Sequence, residues 1–240
     1  MIRSVLFTVI MFLTVPPYAL GVILARPFGR GASYAVALSW VAVQLWLCRN
    51  LIGLDLEVEG QEHIPERNGV VFMKHSSAYE TLAEFSVIPG DQTWVVKREL
   101  VWAPFFCWAL ACASPIAVNR SAGRSAVAQV VEQGKARLAE GLWIMIYPEG
   151  TRMAAGETRR YGISGTLLAQ EAGVLITPVA HNAGYFWPRR GWIKRPGVVR
   201  FVIGPPVDPA GRDLREVNEE IQAWVEDKVA EISAGLEVPS

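Results

Sequence analysis

The sequence predicts an α/β fold: an αβ sandwich around a largely parallel mixed sheet, preceded by an N-terminal pair of apolar helices. Two observations support this prediction. Short apolar runs typical of strands alternate with stretches of helical spacing, an order typical of parallel sheets covered by helices. Hydrophobic residues make up 51% of the 240 residues and charged residues 19%, below the roughly 25% usual in soluble domains. The apolar excess is concentrated before residue 50.

The N-terminal segment predicts a membrane-attached helix pair over residues 1–50, followed by a globular domain over residues 51–240. Residues 4–25 carry no charged side chain, and neither do residues 31–48. A helix needs about 20 apolar residues to cross a bilayer, so the first run is long enough and the second is borderline. We expect Pro16 and Pro17 to interrupt the first run, because proline removes a backbone donor. A kinked pair would dip into one leaflet instead of spanning.

Two other interpretations of this segment remain. A cleaved signal peptide would explain the first apolar run but not the second. A soluble protein with two buried helices would explain both runs. The orientation of the pair is open, since arginines lie at both ends of the runs and the positive-inside rule does not decide between them.

The globular part predicts seven strands and five helices. Strand-like apolar runs are predicted over residues 54–58, 69–73, 93–97, 115–118, 142–147, 174–180 and 198–203. Helical spacing is found over residues 81–87, 99–113, 123–140 and 163–172, and from Leu214 to Ile232. The fourth of these helices is expected to end at Gly173, as helices often end at glycine. The last has one apolar face, and residues 188–196 form a basic, aromatic loop.

Charge and cysteine content exclude some classes of protein. Lys+Arg and Asp+Glu both number 23, so the net charge gives no reason to expect a nucleic-acid partner. Cys48, Cys107 and Cys112 lie in apolar surroundings without metal-ligand spacing. His63, His75 and His181 also lack such spacing, so we expect no metal.

His75 directly follows the second predicted strand, and the strand ends of α/β sheets are where sites tend to be built. Histidine is the side chain best suited to proton transfer near neutral pH. Glu80 lies five residues later, so on one continuous helix the two side chains would diverge. Ser77 to Glu80 fits a capping box, which places the helix start at Ser77 and leaves His75 on the preceding turn. We predict that Glu80 orients His75 as a general base; a cap and a structural histidine are the simpler interpretations.

The segment Tyr147 to Arg152 (Tyr-Pro-Glu-Gly-Thr-Arg) follows the fifth predicted strand. A glycine turn lets backbone amides approach an anion, and arginine binds phosphate through two hydrogen bonds. The same pattern fits a tight turn with a surface arginine. Two weaker signals are Arg120 after the fourth strand and the proline within residues 175–179.

These four blocks, in this order, resemble those of the glycerolipid acyltransferase family of 1-acyl-sn-glycerol-3-phosphate acyltransferases over about residues 50–210. The family has a histidine, four residues and an aspartate where this chain has His75 to Glu80. It also has an arginine after a β-run, a Phe-Pro-Glu-Gly-Thr/Ser-Arg block and an apolar Val-Pro-Val-like run. Lys97 resembles the family's basic residue near the acceptor phosphate. Glu80 is a departure from the family pattern, because it is one methylene longer than aspartate.

The resemblance implies transfer of an acyl group from acyl-CoA or acyl carrier protein to the sn-2 hydroxyl of 1-acylglycerol-3-phosphate (lysophosphatidic acid), giving phosphatidic acid in phospholipid biosynthesis. It implies His75 as general base with Glu80 as its partner, and no cofactor beyond the acyl donor. The substrate-binding residues it implies are Lys97, Arg120, Glu149, Gly150, Thr151 and Arg152. It also implies contact with membrane lipids, at the cell inner membrane with the site facing the cytoplasm.

Three competing interpretations follow from the same residues. One is an acyltransferase for another lyso-lipid, such as lyso-ornithine lipid or a lysophospholipid. The second is a lipid ester hydrolase, although the sequence lacks a G-x-S-x-G nucleophile elbow. The third is a non-catalytic lipid-binding or anchoring protein.

Overall fold

The structure, a computed structural model, describes residues 1–99, 114–119 and 123–239. Within these residues seven strands form one sheet. The strands are β1 (Leu54–Glu59), β2 (Val70–Met73), β3 (Gln92–Lys97), β4 (Ile116–Val118), β5 (Trp143–Ile146), β6 (Ile176–His181) and β7 (Gly197–Ile203). All seven correspond to predicted strands.

The sheet has the strand order β1-β7-β6-β2-β5-β3-β4. Strands β6, β2, β5, β3 and β4 are parallel neighbours, and β7 pairs with β6 in the antiparallel direction. Strand β1 is parallel to β7. The predicted largely parallel mixed sheet is therefore confirmed, and five strands place their carboxyl ends at the same edge.

The helices cover both faces of the sheet. They are α1 (Ile2–Ala25), α2 (Arg30–Leu47), α3 (Glu80–Val87), α4 (Arg124–Ala139), α5 (Ser164–Ala172), α6 (Ala183–Phe186) and α7 (Leu214–Ile232). Because side chains alternate along a strand, Val71 and Met73 of β2 join the core beneath α1, α2 and α3. Val70 and Phe72 join the core beneath α4, α5 and α7.

The N-terminal helix pair packs on the first of these faces. Phe7, Val41 and Cys48 belong to the same core cluster as the sheet residues. Polar contacts fix the end of the pair where α1 connects to α2. Tyr34 Oη accepts a hydrogen bond from the Gln92 N–H at 3.2 Å, and Arg30 forms an ion pair with Glu140 at 3.3 Å. By length and hydropathy both helices are able to cross a membrane, but about a fifth of each apolar window is buried against the protein.

Three local expectations differ from the structure. Helix α1 continues through Pro16 and Pro17, so the expected interruption is wrong: the fixed φ of proline is helical, and the helix continues despite the lost donor and the crowding of the preceding turn. The helix after His75 starts at Glu80 instead of Ser77, because the hydroxyl of Ser77 accepts from the Tyr79 N–H within a turn. Helix α6 was not predicted, since four residues carry no periodic signal. The predicted helix over 99–113 lies almost wholly outside the described residues.

Gly165 offers a test of how closely α5 packs on the sheet. A Cβ atom there would lie 2.4 Å from Phe72 Cε1 and 2.9 Å from Ile146 Cδ1. We expect Gly165→Ala to lower the free energy of unfolding by about 1–3 kcal/mol, as overpacking of a core does. Thermal or denaturant unfolding in detergent solution measures it. Gly31→Ala is the matched control, because nothing lies within 4 Å of its Cβ position; an equal loss in both variants would contradict the packing argument.

Candidate active site

The sheet brings His75 and the Tyr147–Arg152 segment together. Strands β2 and β5 are parallel neighbours with Phe72 opposite Ile146, so the residues that follow them leave the sheet side by side. The rings of His75 and Tyr147 stack with centroids 4.1 Å apart and planes 23° from parallel. The two strongest sequence signals therefore form one site at the carboxyl edge of the sheet, where α/β proteins usually bind ligands.

Glu80 binds the turn that carries His75. Its Oε1 lies 2.9 Å from His75 Nδ1 and accepts hydrogen bonds from the backbone N–H groups of Ser76 and Ser77, at 3.0 and 2.9 Å. The contact forms because His75 precedes α3 and Glu80 begins it, as the five-residue spacing requires. The extra methylene of glutamate is accommodated without loss of the hydrogen bond to the ring.

The charge of Glu80 fixes the tautomer of His75. Burial would raise the pKa of Glu80, but the hydrogen bonds from the His75 ring and the Ser77 N–H lower the pKa below its usual value. An ionised carboxylate only accepts hydrogen bonds, so His75 donates from Nδ1. In the neutral ring Nε2 then carries the lone pair. The His75 side chain is 17% exposed, so this nitrogen belongs to a ring that is accessible to a ligand.

The backbone of His75 is held by neighbouring elements. Glu149, buried after β5, accepts from the His75 N–H through Oε2 at 2.9 Å and pairs with the Lys74 ammonium through Oε1 at 3.3 Å. Lys74 also binds Glu226 of α7 at 2.7 Å. The Met153 N–H donates to the His75 carbonyl at 2.7 Å. Burial raises the pKa of Glu149, and the Lys74 ammonium opposes that shift.

His181 supports the same turn from β6. Its Nε2 donates to the Lys74 carbonyl at 2.7 Å, and its Nδ1 accepts from the Ala183 N–H at 3.2 Å. Burial lowers the pKa of His181, so the ring is neutral, as this pair of contacts requires. His181 is thus a structural histidine.

Gly150 forms the turn of the second block. Its N–H donates to the Tyr147 carbonyl at 2.9 Å, and its φ is +71°. A left-handed conformation favours glycine over every other residue. The turn exposes Gly150 and Thr151 and keeps Arg152 half-buried at the site.

A cavity of about 1120 Å³ opens beside His75. One wall is apolar and comes from α1, α2, α3 and β3, with Trp40, Phe85 and Val96 among its residues. The other wall is basic, and it comprises Lys97, Arg152, Arg159 and Arg160. The site thus combines an accessible imidazole with an apolar lining and a group of cations. Arg120, predicted to bind substrate, lies outside the described residues.

A second buried carboxylate lies one turn after Glu80. Glu84 Oε1 accepts from the Trp94 indole N–H at 2.6 Å, and its Oε2 accepts from the Tyr147 hydroxyl at 2.7 Å. Burial raises the pKa of Glu84 to about 8, against the opposing effect of these two donors. Glu84 therefore anchors the aromatic ring on which His75 stacks.

Sequence reasoning missed Lys74, Glu84 and Arg159. Lys74 and Glu84 each adjoin a predicted site residue, at i−1 of His75 and at i+4 of Glu80 on one helix face, and these offsets are signals that were available. Arg159 had no such signal, because it reaches the cavity through a loop. Among the described residues, no group of three His, Cys, Asp or Glu side chains is arranged to hold a metal ion.

Comparison with known proteins identifies the family of this chain. The sequence profile of the acyltransferase family matches residues 55–182, more than half of the chain. The chain belongs to the acyltransferase family. A 1-acyl-sn-glycerol-3-phosphate acyltransferase of Pseudomonas aeruginosa is 42% identical over 201 residues, which cover 82% of this chain and 78% of that protein. The one of Borreliella burgdorferi is 31% identical, covering 65% of this chain and 61% of that protein.

A solved structure supports the fold of this acyltransferase. The 1-acyl-sn-glycerophosphate acyltransferase of Thermotoga maritima superposes with a TM-score of 0.78 over 98% of both chains, at 24% identity. The match therefore includes the N-terminal helix pair. The predicted fold, a largely parallel sheet preceded by two apolar helices, is therefore confirmed over nearly the whole chain.

Glu84 gives the acyltransferase a distinctive dependence of stability on pH. Between about pH 4.5 and 8 its carboxyl group is protonated in the folded chain and ionised in the unfolded chain. The folded state then binds more protons, so stability falls as pH rises through this range. We expect Glu84→Gln, which stays uncharged, to remove a few kcal/mol of this decline. Melting temperatures across the range measure it; parallel curves for wild type and variant would contradict the assignment. The control is Glu219→Gln, an exposed glutamate on α7.

Proposed function

We propose that this acyltransferase transfers an acyl group from a thioester to the sn-2 hydroxyl of 1-acylglycerol-3-phosphate, giving phosphatidic acid. The observation that carries the proposal is the contact of 2.9 Å between His75 Nδ1 and Glu80 Oε1, in a ring that opens on a cavity with a basic wall and an apolar wall. The activity named for the relatives from Pseudomonas and Borreliella supports this choice of acceptor.

In the proposed reaction His75 acts as general base. Nε2 takes the proton of the acceptor hydroxyl as its oxygen attacks the thioester carbonyl carbon. The carbon–sulfur bond then breaks, and the imidazolium returns the proton to the leaving thiolate. Glu80 stabilises the charged ring and holds its orientation, the part that a buried carboxylate plays beside a catalytic histidine. The step needs no covalent enzyme intermediate.

The basic wall suits the acceptor phosphate. We assign Arg152 and Lys97 to that phosphate, with Gly150 and Thr151 shaping the turn beside it. Arg120 is assigned the same role on its sequence position alone. Arg159 lines the same cavity and joins this group. Glu149 takes a different role from the one expected: both its oxygens are bound by the protein, so it positions Lys74 and the backbone of His75 instead of contacting substrate.

The apolar wall suits acyl chains. Part of this wall comes from α1 and α2, so the helices that we assign to lipid also border the cavity. Because the inner faces of α1 and α2 pack on the sheet, we propose that the pair lies in one leaflet with its outer face in lipid. An acyl donor from the cytosol requires the site to face the cytoplasm, at the inner membrane. Acyl-CoA and acyl carrier protein both fit the thioester chemistry.

Acyl transfer by the full chain is the direct test of the base. We expect His75→Ala to lower kcat by about 10²–10⁴, the usual contribution of a general base. Glu80→Gln should lower kcat with less effect on KM, because it leaves the ring in place but removes the charge. Phosphatidic acid formed from lysophosphatidic acid and each acyl donor is measured. His63→Ala is the matched control, since the His63 ring bonds the Ile203 carbonyl at the end of β7. Full activity of His75→Ala would overturn the mechanism, and fatty acid release without acceptor would indicate a hydrolase.

The acceptor itself is tested through Arg152. We expect Arg152→Ala to raise KM for lysophosphatidic acid by about tenfold or more, because a hydrogen bond to a charged group contributes roughly 1.5–3 kcal/mol. A monoacylglycerol without phosphate should be used equally by wild type and variant. Arg67→Ala, an exposed arginine ahead of β2, controls for loss of positive charge. Equal losses with both acceptors would remove the phosphate role, and a preference of wild type for another lyso-lipid would replace the proposed acceptor.

A further inference from the structure

The basic, aromatic loop over residues 188–196, here called the 188–196 loop, has no part in the site chemistry described above. Trp192 is 75% exposed and Ile193 is 51% exposed. Arg189 and Arg190 are exposed beside them. Among the described residues, neither Arg190 nor Arg195 forms an ion pair. A large exposed apolar pair next to uncompensated cations is an unusual surface for a protein in water.

The loop is fixed to the first turns of α1. Lys194 is buried, and its ammonium donates to Thr8 Oγ1 at 2.5 Å. Ser4 Oγ accepts from the Lys194 N–H at 2.9 Å and donates to the Lys194 carbonyl at 3.3 Å. The Lys194 ammonium also lies 4.8 Å from the centre of the Trp187 ring. Lys194 thus turns inward, and its neighbours Trp192 and Ile193 turn outward.

The outward side chains continue an apolar surface of α1. Ser4 and Thr8 face the loop. The apolar side chains near them on α1 are exposed, namely Ile2, Val5, Leu6 and Val9. Because residues three and four apart share a helix face, these side chains form a stripe that borders the loop. The loop is therefore placed at the edge of the surface assigned to lipid, at the N-terminal end of α1.

We propose that the 188–196 loop is a second bilayer contact of this enzyme, in which Trp192 and Ile193 enter the headgroup region and Arg190 and Arg195 bind anionic phospholipid headgroups. Tryptophan favours the membrane–water interface, where its ring meets both apolar and polar surroundings. Basic residues near the surface are attracted to anionic lipids. The occupant is the bilayer because the loop adjoins the lipid-facing stripe of α1 and carries the complementary charge. The inference rests on the membrane attachment proposed above.

The contact also reaches the active site. The Arg189 guanidinium donates to the Arg152 carbonyl at 2.7 Å, so the loop that meets lipid also holds the backbone of the arginine assigned to the acceptor phosphate.

A probe on the loop tests insertion. Ile193→Cys in the full chain is labelled with an environment-sensitive fluorophore and mixed with phosphatidylcholine vesicles with or without phosphatidylglycerol. We expect a blue shift and quenching by brominated lipid, both stronger with phosphatidylglycerol. Leu236→Cys, an exposed site that follows α7, is the control and should show neither; wild type carried through labelling gives the signal of native cysteines. A probe at 193 that behaves like the one at 236 would overturn the proposal.

Exchange between vesicles tests the charges, because it measures dissociation even when α1 and α2 bind tightly. Arg190→Gln should speed transfer from phosphatidylglycerol vesicles by about fivefold and leave transfer from phosphatidylcholine vesicles unchanged. Trp192→Ala should speed both. Unchanged transfer rates would overturn the proposal. If the variants instead changed the oligomeric state in detergent, the proposal would also be overturned, and the loop would be a contact between copies of the chain.

Acyl transfer in detergent separates this proposal from the proposed function. Arg190→Gln and Trp192→Ala should match wild type there, since neither side chain lines the cavity. Absence of acyl transfer by wild type would contradict the proposed function. The vesicle results would still show whether the 188–196 loop contacts the bilayer.

Discussion

The site depends on one buried anion. The Glu80 carboxylate has no exposed surface, and through a single oxygen it binds the His75 ring and the N–H groups of Ser76 and Ser77. Burying a carboxylate is costly unless it is paired and hydrogen-bonded, so these three donors and the charge stabilise one another. The same contacts end β2, start α3 and orient the imidazole. The local fold and the chemistry therefore rest on the same charge.

Several elements then place this turn relative to the rest of the sheet. Glu149 comes from the end of β5, His181 from β6 and Glu226 from α7, and each binds Lys74 or the backbone of His75. Positioning within fractions of an ångström is what catalysis requires of such a ring. Because the supports come from distant parts of the chain, the geometry of His75 is a property of the whole sheet and not of its own short segment.

The sequence predicted the parts of this arrangement that depend on local pattern. Strand-like runs, followed directly by His75 and by Tyr147 to Arg152, were sufficient to place both blocks at one edge of a parallel sheet. The five-residue spacing to Glu80, with a capping signal between, was sufficient to predict the contact with the ring. Contacts between neighbouring strands are not predictable from local pattern, so the resemblance implies that Glu149 binds substrate, whereas its carboxylate is bound by Lys74 and the His75 N–H. The packing of α1 on the sheet was not predictable for the same reason, because its inner face, with Phe7 and Ser4, has no sequence pattern that distinguishes it from the lipid-facing side of an apolar helix.

The two buried carboxylates of α3 show how environment assigns different roles to one residue type. Glu80 and Glu84 lie one turn apart, yet the pKa of Glu80 is lowered and that of Glu84 is raised. Glu80 accepts hydrogen bonds from backbone N–H groups and from the His75 ring, and these lower its pKa. Glu84 accepts from the neutral side chains of Trp94 and Tyr147, so the effect of burial is larger and raises its pKa. Near neutral pH Glu80 is then the ionised member of this α3 pair, and Glu84 holds Tyr147 without competing for the proton. Neighbouring carboxylates whose pKa values are shifted in opposite directions are a recurring mark of acid–base sites. Here these opposite shifts favour His75 as the group that moves the proton.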